Sequence, residues 1–181
     1  SADKQTASRG RSGRKWDSDN KKNLLFSLLL KDKDYFDKYK SISVLSALVI
    51  IKTLEEYGID DLAIKWPNDV YAAGRKICGI LLEAVCKEEM ECLIIGIGLN
   101  VNQEEFSKQY QAISMKEFLK EEINLDELKL KIFNNLINSL ELLKNNQNFY
   151  DEIIKYDYLK NKKITAVING ENKQVLSLGI N

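Results

Sequence analysis

The 181-residue chain contains no histidine. That absence excludes Ser-His-Asp and Cys-His catalysis, HExxH zinc sites and imidazole proton shuttles. Proton transfer is left to Lys, Asp, Glu, Tyr or water. Cysteine is scarce: Cys78, Cys86 and Cys92 are an odd number and form no CxxC. Such usage suits a reducing cytosol and buried apolar thiols better than a disulfide framework or a zinc cluster, and no metal-ligand set emerges. No apolar run approaches the roughly 20 residues that cross a bilayer, and no signal-peptide pattern opens the chain. A cytoplasmic protein without membrane contact is therefore expected. Net charge is also lacking, with 27 basic against 27 acidic side chains. This argues against a surface built throughout to hold nucleic acid, though it leaves room for a local basic patch.

What is rare is also clustered. The chain has one proline, two tryptophans and four arginines beside 23 lysines. Three of the arginines, Arg9, Arg11 and Arg14, fall in the segment Gln5-Thr6-Ala7-Ser8-Arg9-Gly10-Arg11-Ser12-Gly13-Arg14-Lys15-Trp16, which Trp16 closes. The proline and the other tryptophan fall in Lys65-Trp66-Pro67-Asn68-Asp69. Where lysine is the default cation, arginine marks a need for the planar fork that grips phosphate or carboxylate at two points. Arginines alternating with small residues, and glycines that let backbone N–H groups approach closely, suit a di- or triphosphate and the charge that develops as its bond breaks. An arginine-rich arm binding nucleic acid nonspecifically is the competing reading of that segment. The GxxxxGK[ST] spacing of a Walker loop is missing.

Periodicity predicts a mixed α/β domain with a largely antiparallel sheet. Residues 1–6 read as the end of a strand, 7–22 as a loop and Leu24–Leu30 as a buried strand. Apolar spacing predicts a helix over Tyr35–Tyr57, with Gly58 in the position of a C′ glycine. Leu62–Trp66 alternates, with Leu62, Ile64 and Trp66 on one face and Ala63 and Lys65 on the other. Lys65 thus ends a strand beside a small neighbour, where a ligand has room; a surface lysine before an ordinary turn is the alternative. Lys76–Val85 and Cys92–Val101 read as a hairpin of central strands. The connections at Gly74-Arg75 and Lys87–Glu91 are too short for parallel crossovers, so the three strands are expected to be antiparallel neighbours, faced by the Tyr35–Tyr57 helix. Further on, Ser114 caps a short helix, Asn124-Leu125-Asp126-Glu127 opens a long amphipathic one to about Leu143, and Phe149–Leu159 reads as another. Asn169-Gly170 turns a hairpin between Lys163–Asn169 and Lys173–Leu178. Glycines within strands, at Gly79, Gly96 and Gly98, mark close approach by a ligand or another backbone, or else a bulge. Asn100 and Asn102 offer amide groups where the last central strand ends.

In this order the segments QTAxRGRxGRKW at Gln5–Trp16, KWPNDV at Lys65–Val70, GRKICGILLE at Gly74–Glu83 and GIGLNVN at Gly96–Asn102 resemble the catalytic domain of biotin protein ligases, the biotin–[acetyl-CoA-carboxylase] ligases. The resemblance spans most of residues 1–102. It implies a biotin/lipoate ligase-like α/β fold, related to class II aminoacyl-tRNA synthetases, over residues 1–160. It also implies the start of a small SH3-like β module over 161–181. The implied activity is activation of biotin by ATP with Mg²⁺ to biotinyl-5′-AMP, then transfer to one lysine of a biotin carboxyl carrier domain of a carboxylase. The implied biotin and adenylate site comprises Gln5, Arg9, Gly10, Arg11, Arg14, Trp16, Lys65, Gly79, Gly96, Gly98 and Asn100. Lys65 and Arg11 are the groups expected to act on the reacting phosphate, and Arg14 and Trp16 belong to a loop that closes over the intermediate. Asn68 and Asp69 are expected to shape the turn that presents Lys65, with an indirect role toward metal or phosphate. A homodimer is a further expectation.

The chain departs from the family pattern in places. Ser8 stands where the family usually has glycine, which implies a stiffer loop, and Asp17–Lys22 lacks the glycine common before the next strand. The family's biotin-binding Ser/Thr-Thr-Asn segment is expected upstream of Ser1 and the rest of the C-terminal module downstream, so the chain reads as truncated at both ends. DNA becomes a partner only if an upstream DNA-binding domain exists. Lipoate ligases share the implied fold but lack the Trp-Pro pair of KWPND. Lipoyl transfer and a non-catalytic nucleic-acid-binding module are the alternative functions.

Overall fold

In a computed structural model of the protein, residues 1–10, 13, 16–18, 21–107 and 111–180 are described. Five strands form one antiparallel sheet in the order β1-β5-β4-β3-β2: β1 (Leu24–Leu30), β2 (Leu62–Lys65), β3 (Asp69–Ala72), β4 (Arg75–Cys86) and β5 (Met90–Leu99). β4 and β5 form the expected central hairpin, with Gly79 opposite Gly98 and Leu81 opposite Gly96. The expected adjacency of the strand at Leu62 to this hairpin is corrected. β3 lies between β2 and β4. β3 joins β4 through Ala73 and Gly74, at φ of 48° and 70°, a tight left-handed turn that alanine does not announce as Asn-Gly would.

Helix α1 (Tyr39–Glu56) packs on the inner face of the sheet, and α3 (Leu125–Lys144), following the short α2 (Met115–Leu119), packs on α1 from the other side. Being covered on two sides, α1 buries Ile42, Leu45, Leu48, Val49, Ile51 and Leu54 around most of its circumference. Its buried Ser46 and Thr53 hydroxyls donate to the carbonyls of Ile42 and Val49, satisfying groups that water cannot reach. The helix starts later than its apolar spacing suggests. Lys33–Lys38 is a 3₁₀ turn capped by the Asp32 side chain, which accepts from the N–H of Asp34. At its other end Gly58 takes φ of 82°, its N–H donating to Glu55 O and that of Ile59 to Leu54 O. This paired closure satisfies two carbonyls of the last turn.

Ser114 caps α2 by accepting from the N–H of Glu117, and Asn124 caps α3 by accepting from those of Asp126 and Glu127. α3 points Leu128, Ile132, Leu136 and Leu140 into the core at helical spacing. The helix expected over Phe149–Leu159 is one α turn, α4 (Tyr150–Ile153), then a 3₁₀ turn over Ile154–Tyr156. Tertiary pairing ends it: Asp157 bridges Ile64 in parallel, and the N–H of Tyr158 donates to Ile64 O, covering the free edge of β2. The expected strand end at residues 1–6 is a single antiparallel bridge, Ala2 to Leu25. β6 (Lys163–Ile168) and β7 (Glu171–Leu176) form a separate hairpin about Asn169-Gly170. No helix among the described residues is long and apolar enough to cross a membrane.

Candidate active site

Strand alternation gives the sheet two different faces. Ile64, Val70, Cys78, Ile80 and Ile97 point into the core, so Lys65, Asp69, Gly79, Leu81, Gly96 and Gly98 lie on the opposite face, away from α1. A bulge between Val70 and Tyr71 shifts the register with β4, so that Lys76 joins Tyr71 on that outer face. Here lies a cavity of about 600 Å³, lined by Gln5, Arg9, Gly10 and Trp16 from the N-terminal segment, by Lys65 to Asp69 and by the glycines. Its size is within the range of small-ligand sites.

The glycines do unequal things. A Cβ on Gly98 would stand 2.7 Å from Cε2 of Trp16, and one on Gly79 would stand 2.8 Å from its Cζ3. The indole therefore lies against bare backbone. At Gly96 the nearest atom is the Leu81 carbonyl oxygen at 3.5 Å, an ordinary contact. Trp16 is fixed to its own loop by Ser8, whose hydroxyl donates to the Trp16 carbonyl (2.9 Å) while the Trp16 N–H donates to the hydroxyl (3.1 Å). A glycine at position 8 could make neither bond, which is the physical content of the stiffening expected there.

Two ammonium groups stand on the same face with different company. Lys76 Nζ is 2.7 Å from Asp69 Oδ1 and 5.5 Å from the centre of the Trp16 ring. Lys65 Nζ is 3.1 Å from the Tyr71 hydroxyl. Among the described residues, no carboxylate lies within ion-pair distance of Lys65. Arg9 reaches Glu83 only at 3.9 Å, with both side chains exposed; such a contact contributes little and leaves the guanidinium free to meet an anion. Arg11 and Arg14 lie outside the described residues.

The turn before β3 is tied down on both sides. Asn68 donates from Nδ2 to Ile80 O (2.8 Å), and Ser43 Oγ donates to Pro67 O (3.1 Å). Trp66 is not on a strand face as its alternation suggests. It belongs to this turn and is 54% exposed, because β2 ends at Lys65. Asn100 borders the cavity and donates to Ile113 O, which turns its Oδ1 elsewhere. That Oδ1 and Trp16 Nε1 are buried with no partner among the described residues, an unfavourable state. Asn102 is structural: its side chain pairs with both the N–H and the carbonyl of Ile123. Asp69, expected only to shape the turn with an indirect role toward metal or phosphate, lines the cavity itself, and Tyr71 and Lys76 line it without having been singled out in the sequence; extending the Lys65 phase through a second short strand would have found Tyr71. No group of three metal-ligating His, Cys, Asp or Glu side chains exists among the described residues.

The family model described as Biotin/lipoate A/B protein ligase family matches residues 1–100. The chain belongs to this family. It is 40% identical over 104 residues to the bifunctional ligase/repressor BirA of Bacillus subtilis, covering 57% of this chain and 32% of that protein. To BirA of Escherichia coli it is 36% identical over 101 residues, covering 55% and 32%. The chain thus spans about a third of the length of these curated relatives. Among solved structures, the biotin protein ligase from Aquifex aeolicus in complex with biotin and ATP superposes with a TM-score of 0.88 at 30% identity, covering 99% of this chain and 76% of that one. That likeness carries the expected fold: an antiparallel sheet flanked by helices, with a small C-terminal β pair.

Beneath the glycine floor, burial pushes the Cys78 thiol well above its usual range, and thiols react as thiolates. Alkylation near pH 8 followed by mass spectrometry is expected to modify exposed Cys86 first and to spare Cys78 until the protein unfolds. Rapid native-state modification of Cys78 would mean that this part of the sheet opens.

Proposed function

We propose that the cavity activates biotin with ATP and passes the biotinyl group to a lysine of a biotin carboxyl carrier domain. The observation that carries the reading is Lys65: an ammonium with no carboxylate in ion-pair distance among the described residues, at the edge of a glycine-floored cavity that also takes Gln5, Arg9 and Gly10. In the first step the biotin carboxylate attacks the α-phosphate of ATP and pyrophosphate leaves. In the second, the carrier amine attacks the acyl carbon and AMP leaves. Lys65 lowers the repulsion between carboxylate and α-phosphate and stabilises the charge that builds as they bond. Arg9, Gly10 and Arg11 hold the phosphate, and Arg14 and Trp16 close over the adenylate. Neither step asks for a histidine.

Of the Mg²⁺ expected here, the donor set supports only a partial shell. Asp69 and Glu83 line the cavity, which suits an ion that keeps waters and binds through one or two carboxylates together with phosphate. Bound there, such an ion would supply neutralisation of the triphosphate. A division at residue 160, a homodimer and a cytoplasmic location are parts of the same proposal. The relatives named as biotin ligases support biotin over lipoate.

The test is biotin-dependent exchange of labelled pyrophosphate into ATP, measured on the full chain beside the same assay with lipoate. Exchange with biotin alone is expected. Exchange driven by lipoate, or salt-sensitive DNA binding with no exchange at all, would overturn the reading.

A further inference from the structure

We propose that Tyr71 is a positioning residue that aims the Lys65 ammonium, and that Tyr158, at the base of the C-terminal hairpin, holds Tyr71 in place. The proposal rests on the reading of Lys65 given above.

Register makes the first half. Lys65 pairs with Asp69 and Ala63 with Tyr71 across β2 and β3, so Lys65 and Tyr71 are diagonal neighbours on the cavity face, within reach of long side chains. The ammonium lies 3.1 Å from the phenol oxygen and 5.0 Å from the ring centre. A lysine has four rotatable bonds and loses its value as a fixed charge unless something orients it. A carboxylate would orient it but neutralise it, as Asp69 does for Lys76 at 2.7 Å. A phenol accepts the hydrogen bond and leaves the charge available. Small Ala63, opposite Tyr71, leaves the ring room to lie over the strand.

The second half lies in what stops the ring from swinging away. Tyr71 stacks on Tyr158 with centroids 4.9 Å apart and planes 29° from parallel. Tyr158 is itself anchored three ways. Its N–H donates to Ile64 O, next to Lys65. The Lys162 ammonium sits 3.5 Å from its ring centre. Its neighbour Asp157 accepts from the N–H groups of Leu159 and Ile180, tying both ends of the hairpin segment to this point. A chain of contacts therefore runs from the hairpin through two rings to the ammonium.

Single substitutions separate the parts in the biotin-dependent exchange assay on the full chain. Tyr71→Phe keeps the stack and loses the acceptor; kcat is expected to fall about tenfold with KM for biotin and ATP within twofold. Tyr158→Ala should do the same, and Tyr158→Phe, which restores the ring, should bring kcat back. Affinity for biotinyl-AMP by calorimetry completes the test. Tyr71→Phe and Lys65→Met should each weaken it, and the double variant should be no weaker than Lys65→Met alone. Parent-like kcat in Tyr71→Phe, additive losses of affinity, or failure of Tyr158→Phe to recover would overturn the proposal. Full exchange in Lys65→Met would instead remove the reading beneath it.

Discussion

Lys65→Met is expected to fold like the parent and to lose pyrophosphate exchange by roughly a hundred- to thousandfold, the usual consequence of removing one preorganised contact to developing charge, about 3–4 kcal/mol. Folding should survive because the side chain faces the cavity while Ile64, its neighbour, carries the burial at that point of β2. Methionine keeps most of the stem and its contact with the Tyr71 ring. The 22 other lysines provide the contrast. Lys76, on the same face, is already paired with Asp69, and removing its charge would leave Asp69 unpaired rather than remove an ammonium that stands outside any ion pair among the described residues. Exchange rate and circular dichroism on the same preparation decide the matter. A folded Lys65→Met chain with exchange within a few-fold of the parent would make Lys65 an ordinary strand-end lysine.

Gly98→Ala should separate ligand binding from stability. The added Cβ would stand 2.7 Å from the Trp16 ring, closer than carbon atoms allow, and a fused indole cannot bend out of the way. The loop carrying it must lift. Overpacking of this kind costs about 1–3 kcal/mol. Here the cost falls on the seating of Trp16 rather than on the core, because the crowding is on the face away from α1. Affinity for biotinyl-AMP is therefore expected to drop by roughly five- to a hundredfold, while the denaturation midpoint stays at or slightly above that of the parent, alanine being the easier residue to hold in a strand. Gly96→Ala, whose nearest neighbour is an oxygen at 3.5 Å, should bind the ligand nearly as well as the parent. Equal losses at the two positions would show that the indole contact is not what position 98 protects.

The elements that declared themselves in the sequence are those whose signal is local. Gly58, Ser114 and Asn124 end or begin helices through bonds to residues a few positions away, and Asn169-Gly170 turns a hairpin on its own backbone preference. The β4–β5 pair is long, apolar and joined by a short polar turn. What escaped is tertiary. β3 is four residues long and enters β4 by a turn with alanine in a left-handed conformation, so the strand formers Val70 and Tyr71 are too few, and the turn too unmarked, to announce a separate strand. The segment after Tyr150 has helical spacing but leaves the helix to pair with the edge of β2. In the site, the phase of Lys65 was legible from period-two alternation. Trp66 broke that phase because the strand stops one residue before it. That the glycines of β4 and β5 make a bed for Trp16 was half legible: glycine in a strand says that something comes close, and only the fold says what.

The two tryptophans stand in opposite optical environments while lining one cavity. Trp16 is pressed onto peptide groups with a lysine ammonium near its ring, and Trp66 is 54% exposed to water. Their emission therefore carries two separable colours, a shifted one from the seated indole and a redder one from the wet one. Occupancy of the floor should alter the first more than the second. With Trp66→Phe the remaining signal comes from the indole over Gly79 and Gly98 alone, so the molecule reports the state of its own site without any attached dye.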